Sequence, residues 1–237
     1  KYNVSLIGGD TTRGALNITI TMMGVVEKSK AIKRSGAMSG DNIYVSGEIG
    51  DAALCLKKIN EGEKPHKAEM IRLNKPIPRL ELGIAIKGIA SSCVDISDGL
   101  EQDLSHIIKA SRVGAMIDVQ KLPLSQSMAN YIADNDDWSL AVCGGDDYEL
   151  CFTAPESLNS EIMKIAEICK IRVTKIGVIN DSKKLKIKGY DGPILECDRC
   201  EADMELKSGR FGKYFDCTND ECKNTRKLLA SGEAAPP

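Results

Sequence analysis

Four cysteines in the last quarter of the chain have the spacing of a metal site. Cys197-x2-Cys200 and Cys217-x4-Cys222 are separated by sixteen residues. Two such cysteine knuckles close a tetrahedral set of four thiolates, which suits structural Zn2+. Almost no aliphatic core surrounds them, so metal binding is expected to supply most of the local folding energy. Two disulfides are the competing use, and they suit an oxidising compartment. The other cysteines, Cys55, Cys93, Cys143, Cys151 and Cys169, are scattered among apolar residues and read as reduced core thiols.

Three acidic, glycine-containing turns form a second set. The first is Gly8-Gly9-Asp10-Thr11-Thr12-Arg13, the second Asp95-Ile96-Ser97-Asp98-Gly99-Leu100 followed by Asp103, the third Gly144-Gly145-Asp146-Asp147-Tyr148-Glu149. Glycines let backbone N–H groups approach phosphate oxygens. Carboxylates in the same turns would repel phosphate unless a divalent cation lay between, and Mg2+ is the hard, oxygen-seeking ion that fits. A helix starting near Gly99 would aim its positive end at an anion. Spacing alone leaves the plainer readings open: Ser97 or Asp98 as an N-cap worth about 1 kcal/mol, and the glycine pairs as simple turns. The two histidines, His66 and His106, do not suggest acid–base chemistry.

Strands and helices must position these residues. Val4–Ile7 and Leu16–Met22 read as strands, the second alternating apolar and polar. Further strands are expected at 43–46, 93–96, 115–119, 148–153 and 172–179. Residues 185–195 read as a hairpin turning at Asp191-Gly192. Helices are expected over 51–59, with Ala52, Cys55, Leu56 and Ile59 on the apolar face, and over 79–89 after the breakers Pro76 and Pro78. Two more are expected over 100–110, with Leu100, Leu104, Ile107 and Ile108 inward, and over 158–170, with Leu158, Ile162, Ile165 and Cys169 inward. This alternation indicates an α/β or α+β domain. The 237 residues allow one good-sized core and a small module. A net charge of −2 offers no global field toward nucleic acid or membrane. No apolar run approaches a membrane span and no leader-like segment opens the chain, so a cytoplasmic location is expected.

Taken in order, LIGGDTTRG (6–14), RSGAMSGDNIYVSG (34–47), VDISDGLEQDLSHI (94–107) and GGDDYELCFT (144–153) resemble the thiamine-monophosphate kinases, relatives of aminoimidazole ribonucleotide synthetase. The resemblance covers about residues 2–195. It implies transfer of a phosphoryl group from ATP to thiamine monophosphate, giving thiamine diphosphate. It further implies ATP contacts from Gly9, Asp10, Arg34 and Ser97, Mg2+ ligands at Asp10, Asp95 and Asp98, and a substrate contact from Asp146, where the family usually has Glu. A homodimer is implied for the complete protein. Family members carry a long segment ahead of LIGGDTTRG that holds further metal-binding aspartates and much of the dimer interface. The family would also place an aromatic against the substrate near its C-terminus, a pattern this chain leaves after Asp191-Gly192.

Residues 197–229 are similar to the C-terminal zinc ribbons of bacterial type IA DNA topoisomerases. That similarity implies single-stranded DNA as a partner, with Phe211, Tyr214 and Phe215 on bases and Arg210, Lys213, Lys223, Arg226 and Lys227 on phosphates. The same aromatics would equally fill a small ribbon core, and seven basic residues are matched by seven acidic ones in this stretch. The division expected is 1–33 as the end of an N-terminal ATP-binding domain with remnant strands, 34–195 as the kinase C-terminal α/β domain, 196–229 as the four-cysteine ribbon and 230–237 as a tail. The rival to a kinase is a DNA-binding zinc module beside an inactive remnant.

Overall fold

The computed structural model describes residues 4–190, 197, 199–200, 202, 204–209, 212–217, 219 and 221–227. The chain divides into two units, Lys1–Ala31 and Ile32–Pro237. In the first, neither expected strand forms: residues 4–26 carry no ladder, and Leu16, Ile18, Ile20 and Met22 are 70–94% exposed. An alternating pattern makes a strand only where a neighbour strand pairs with it and one face is covered. A turn at its end closes through Lys30 N–H donating to the Glu27 carbonyl at 3.0 Å.

The second unit is built on a six-stranded sheet of β1 (Asn42–Ser46), β2 (Ser92–Ile96), β3 (Gly114–Asp118), β4 (Glu149–Ala154), β5 (Val173–Asn180) and β6 (Leu185–Lys188). Their spatial order is β2-β4-β1-β5-β3-β6. Every pairing is antiparallel except β3 with β6, which is parallel. Of the hairpin expected over 185–195, the first strand forms as β6 and partners β3, while its turn at Asp191-Gly192 and its second strand lie outside the described residues. The expected tail, 230–237, also lies outside them.

β1 is buried along its whole length because strands cover both its edges and helices both its faces. Alternation sends Ile43 and Val45 to one face and Tyr44 to the other. On the first face they join Leu54, Val94, Ile96, Leu100, Leu104 and Ile107. These draw on α1 (Asp51–Asn60) and α4 (Leu100–Ser111), while α5 (Gln126–Asn135) adds Met128 and α6 (Ser139–Val142) adds Val142. On the second face Tyr44 stacks on its register partner Phe152 at 5.2 Å. Leu82 and Ile86 from the region of α3 (Leu80–Ala85), and Ile162 and Ala166 of α7 (Asn159–Cys169), complete that layer.

The inward face of α4 is as expected, with Leu100, Leu104, Ile107 and Ile108 buried. On α1 the buried set is Asp51, Ala52, Leu54 and Cys55, while Leu56 and Ile59 are 45% and 41% exposed. The helix is rotated from the expected face because Leu54 fills the core and α2 (Lys67–Asn74) packs along its side. The helix expected over 79–89 stops at Ala85, where Ile86 leaves the helical run and Gly88 turns at φ 85°. A separate three-stranded sheet, β7 (Met204–Gly209), β8 (Gly212–Cys217) and β9 (Thr225–Lys227), forms the cysteine segment. Among the described residues no helix is long and apolar enough to cross a membrane.

Candidate active site and metal centre

Two of the acidic turns cross each other at backbone contact. The β2–α4 turn holds Ser97, Asp98 and Gly99; the turn before β4 holds Gly144 to Tyr148. Asp146 N–H donates to the Ser97 carbonyl at 2.9 Å and Tyr148 N–H to the Ile96 carbonyl at 2.8 Å. A Cβ on Gly99 would stand 2.5 Å from the Cys143 carbonyl oxygen, and one on Gly145 would collide with the Ser97 carbonyl oxygen. Both glycines are required by this approach, and Gly99 also sits at φ 119°.

The plain capping reading of Ser97 and Asp98 is not realised. Gly99 is the N-cap of α4 and has no side-chain cap. The turn is instead held from below by Asp103, buried to 2% exposure, whose Oδ2 accepts Ser97 N–H at 2.9 Å and Asp98 N–H at 3.0 Å. Burial, first, raises its carboxyl above the usual range, while those two N–H groups pull it back. Asp95 and Asp98 are left exposed at the strand end.

The run Asp146-Asp147-Tyr148-Glu149 alternates between outside and inside. Asp146 and Tyr148 face outward at φ 67° and 51°, a region that non-glycine residues, and bulky ones above all, rarely occupy. The Tyr148 hydroxyl donates to Asp146 Oδ1 at 3.3 Å. Burial and then the negative charges of Asp146, Asp95 and Asp98 push its phenol up. Asp147 and Glu149 point inward and hold the loop. Asp147 Oδ2 accepts Gly50 N–H at 2.8 Å. Glu149 accepts from Arg79 at 2.6 and 2.5 Å, from Arg72 at 3.2 Å and from the Ser46 hydroxyl at 2.6 Å. Gly47, at φ 61°, leaves space for that carboxylate. The anchors Asp103, Asp147, Glu149, Arg72 and Arg79 were not singled out as site residues from sequence, because a run of polar residues such as Asp146-Asp147-Tyr148-Glu149 gives no sign of which members turn inward.

Arg34 is not placed beside these acids by its backbone. Its carbonyl accepts the Ser111 hydroxyl at 3.3 Å, at the opposite end of α4 from Asp98. Gly9 and Asp10 belong to the first unit, where Asp10 Oδ1 accepts Thr11 N–H at 2.7 Å and both residues are exposed. His66 caps α2 and His106 is half-buried on α4. Of the five scattered cysteines, Cys55 and Cys151 are core thiols, Cys93 and Cys169 are half-buried, and Cys143 is exposed, so it is not the core thiol expected.

The cysteine segment assembles as its spacing implied. Cys197, Cys200, Cys217 and Cys222 have all four sulphurs within 4.8 Å of one another. Cys197 and Cys222 are 3.6 Å apart and Cys200 and Cys217 3.4 Å. A tetrahedral zinc with 2.3 Å bonds sets its sulphurs about 3.8 Å apart. A disulfide needs about 2.05 Å, and these thiols are free. Among the described residues this is the one group of three or more potential ligands whose donor atoms converge; Asp95, Asp98 and Asp146 are neighbours without such convergence. Phe215 packs against the cysteines with Ala202 and Met204, so its part is in the ribbon core. Phe211 and Arg210 lie outside the described residues.

A largely antiparallel sheet layered between helices, with acidic turns crossing at one strand end, defines an α/β domain followed in the chain by a four-cysteine ribbon. Residues 38–189 match the family model described as AIR synthase related protein, C-terminal domain, and the chain belongs to that family. It is similar to the thiamine-monophosphate kinase of Haemophilus influenzae, 44% identical over 185 residues, covering 76% of this chain and 56% of that one. Among solved structures it is similar to the thiamine-monophosphate kinase of Stenotrophomonas maltophilia, with TM-score 0.67, 36% identity, and 69% and 55% of the two chains covered. It is also similar to AaThiL complexed with AMPPCP and TMP, with TM-score 0.59, 28% identity, and 68% and 52% covered. The chain thus spans about half the length of the curated kinases it matches. Its C-terminal part is similar to DNA topoisomerase 1 of Salmonella typhimurium, 51% identical over 87 residues, covering 37% of this chain and 10% of that one. That match is longer than the stretch from Cys197 to the C-terminus, so it reaches back into the α/β unit.

Proposed function

We propose that this chain is the C-terminal part of an ATP- and Mg2+-dependent kinase that converts thiamine monophosphate to thiamine diphosphate. The observation that carries the reading is the crossing of the two acidic turns, which sets Asp95, Asp98, Asp146 and Tyr148 around one strand end. The likeness to a kinase solved with AMPPCP and TMP supports it.

The roles follow from chemistry. Asp95 and Asp98 would hold Mg2+; hard carboxylate oxygens suit it, and it takes only one or two of them beside waters and phosphates, so full convergence is not required. Asp10 is a Mg2+ ligand on the family resemblance alone. Bound there, the cation supplies positive charge against two polyanions brought together. Ser97, Gly9 and Arg34 contact the nucleotide. Asp146, with the Tyr148 hydroxyl on its carboxylate, faces the thiamine substrate, whose thiazolium ring is cationic. Asp103, Asp147 and Glu149 fix the loops so that these groups need not reorganise. The acceptor is a phosphate oxygen already ionised near neutral pH, so no strong general base is called for. A homodimer, a cytoplasmic location and the division into 1–33, 34–195, 196–229 and a tail belong to the same reading. The test is formation of thiamine diphosphate from thiamine monophosphate and Mg·ATP by the purified protein. Asp98→Asn should weaken Mg·ATP binding in calorimetry at least tenfold; unchanged affinity would remove the crossed turns from the site.

The ribbon is a second, separate part of the proposal. Its four thiolates would hold structural Zn2+, and its likeness to a DNA topoisomerase favours contact with single-stranded DNA. Zinc-dependent retention on a single-stranded oligonucleotide tests that contact.

A further inference from the structure

We infer that Asn224 is a positioning residue of the ribbon's metal centre. The inference rests on the zinc reading above and goes beyond its four ligands. Asn224 lies just outside the second cysteine knuckle and is only 6% exposed. Its side-chain Nδ2 donates to Cys197 Sγ at 3.2 Å. Its backbone carbonyl accepts Cys217 N–H at 2.8 Å. One buried residue thus touches a ligand from each knuckle: a sulphur of the first and the backbone of the second. Asn219 N–H donates to Cys217 Sγ at 3.4 Å, but any residue type supplies that bond from its backbone. The Asn224 contact depends on the side chain alone.

An N–H aimed at a thiolate draws off part of its charge and fixes its orientation. Partners of this kind orient metal ligands, and losing one weakens metal binding about 10–100-fold. An aspartate of the same shape would set a carboxylate oxygen against the thiolate and repel it.

Zinc competition against a chromophoric chelator, on the full chain and its variants, tests this. The wild-type chain should bind one zinc. Asn224→Ala should bind it about 10–100-fold more weakly, and Asn224→Asp more weakly still. With Co2+ in place of zinc, the sulphur-to-metal charge-transfer band should move to lower energy in Asn224→Ala, because a thiolate relieved of its hydrogen bond gives up charge more readily. Asn224→Asp keeps the shape, so it decides the matter if the alanine variant does not fold. Unchanged zinc affinity in the variants overturns the inference. So does a weakened affinity with an unmoved cobalt band, which would mark Asn224 as a packing residue. A wild-type chain that binds no zinc fails earlier, and overturns the zinc reading together with the inference.

Discussion

Glu149 and Asp147 sit two residues apart, both nearly fully buried, and differ in how their charge is met. Glu149 has two arginines and a serine on its carboxylate, and its side chain is 1% exposed. Removing one partner of such a buried pair leaves the others uncompensated, which costs about 3–5 kcal/mol. Glu149→Ala should lower unfolding stability by that order in denaturant titration, and free Arg72 and Arg79 from the β4 end. Asp147 has one backbone donor, Gly50 N–H, and its Oδ1 has no hydrogen-bond partner. Burial pushes its carboxyl up to about 7, against the pull of the Gly50 N–H and Arg72. A carboxyl raised on folding stabilises the fold below its unfolded value and loses that contribution as pH rises through the folded one. The window is therefore about pH 4 to about pH 7, with stability falling upward through it. Asp51 and Asp103 are also raised by burial, so they slope the same way. Asp147→Asn should remove on the order of 2–4 kcal/mol of that decline, since a single carboxyl loses about 1.4 kcal/mol for each step of one in pH across the window. Urea titrations of wild type and variant at several pH values between 4 and 7.5 check it; parallel curves would show that Asp147 is not the titrating group.

At the scale of elements, what makes a site of two unremarkable turns is their crossing. It depends on small residues at Gly99 and Gly145, because each faces a backbone carbonyl of the other turn. Gly99→Ala and Gly145→Ala should each cost about 1–3 kcal/mol, since backbone carbonyls cannot step aside as side chains do. Each should also weaken Mg·ATP binding, by moving Asp98 away from Asp146. A thermal melt combined with calorimetry separates the two effects. A variant that melts lower but binds Mg·ATP normally would show that the crossing serves stability alone. The sheet contributes the rest of the positioning: β2 and β4 are register partners, with Asp95 opposite Leu150 and Ile96 opposite Glu149. One strand pair therefore delivers both acidic turns to the same end.

For the whole molecule the question is how far the parts stand on their own. The six-stranded sheet has two aliphatic layers and needs no metal to bury them. The ribbon's core is Cys197, Met204 and Cys217 with a few half-buried neighbours, too little to hold a fold unaided. A strong zinc chelator should therefore melt the ribbon and leave the α/β domain folded. Hydrogen exchange should show loss of protection in β7–β9 and unchanged protection in β1, β4 and β5. Simultaneous loss in both would mean that the ribbon's metal stabilises the sheet as well.

Much of the plan could be read from residue order alone. Local spacing announced the four-cysteine cluster, because each knuckle is set by a few neighbouring residues. Period and breakers located α4, β1, β2 and β4, because their burial patterns are strong and short-range. The motif run pointed to the family that the comparisons confirm. Other outcomes were decided by contacts distant in sequence. Leu54 rather than Leu56 faces the core because α2 covers the other side of α1. β6 pairs with β3 in parallel, a partner set by the sheet edge open to it and not by its neighbours in sequence. Residues 16–22 carry a strand's alternation without a strand, because alternation supplies a face and not a partner. The acidic residues themselves were legible, but which of them face solvent and which brace the turns was not. Asp95, Asp98 and Asp146 are the same chemical group as Asp103 and Asp147, and only the packing of the turns against each other decides whether a carboxylate is left outward or drawn inward to hold the backbone.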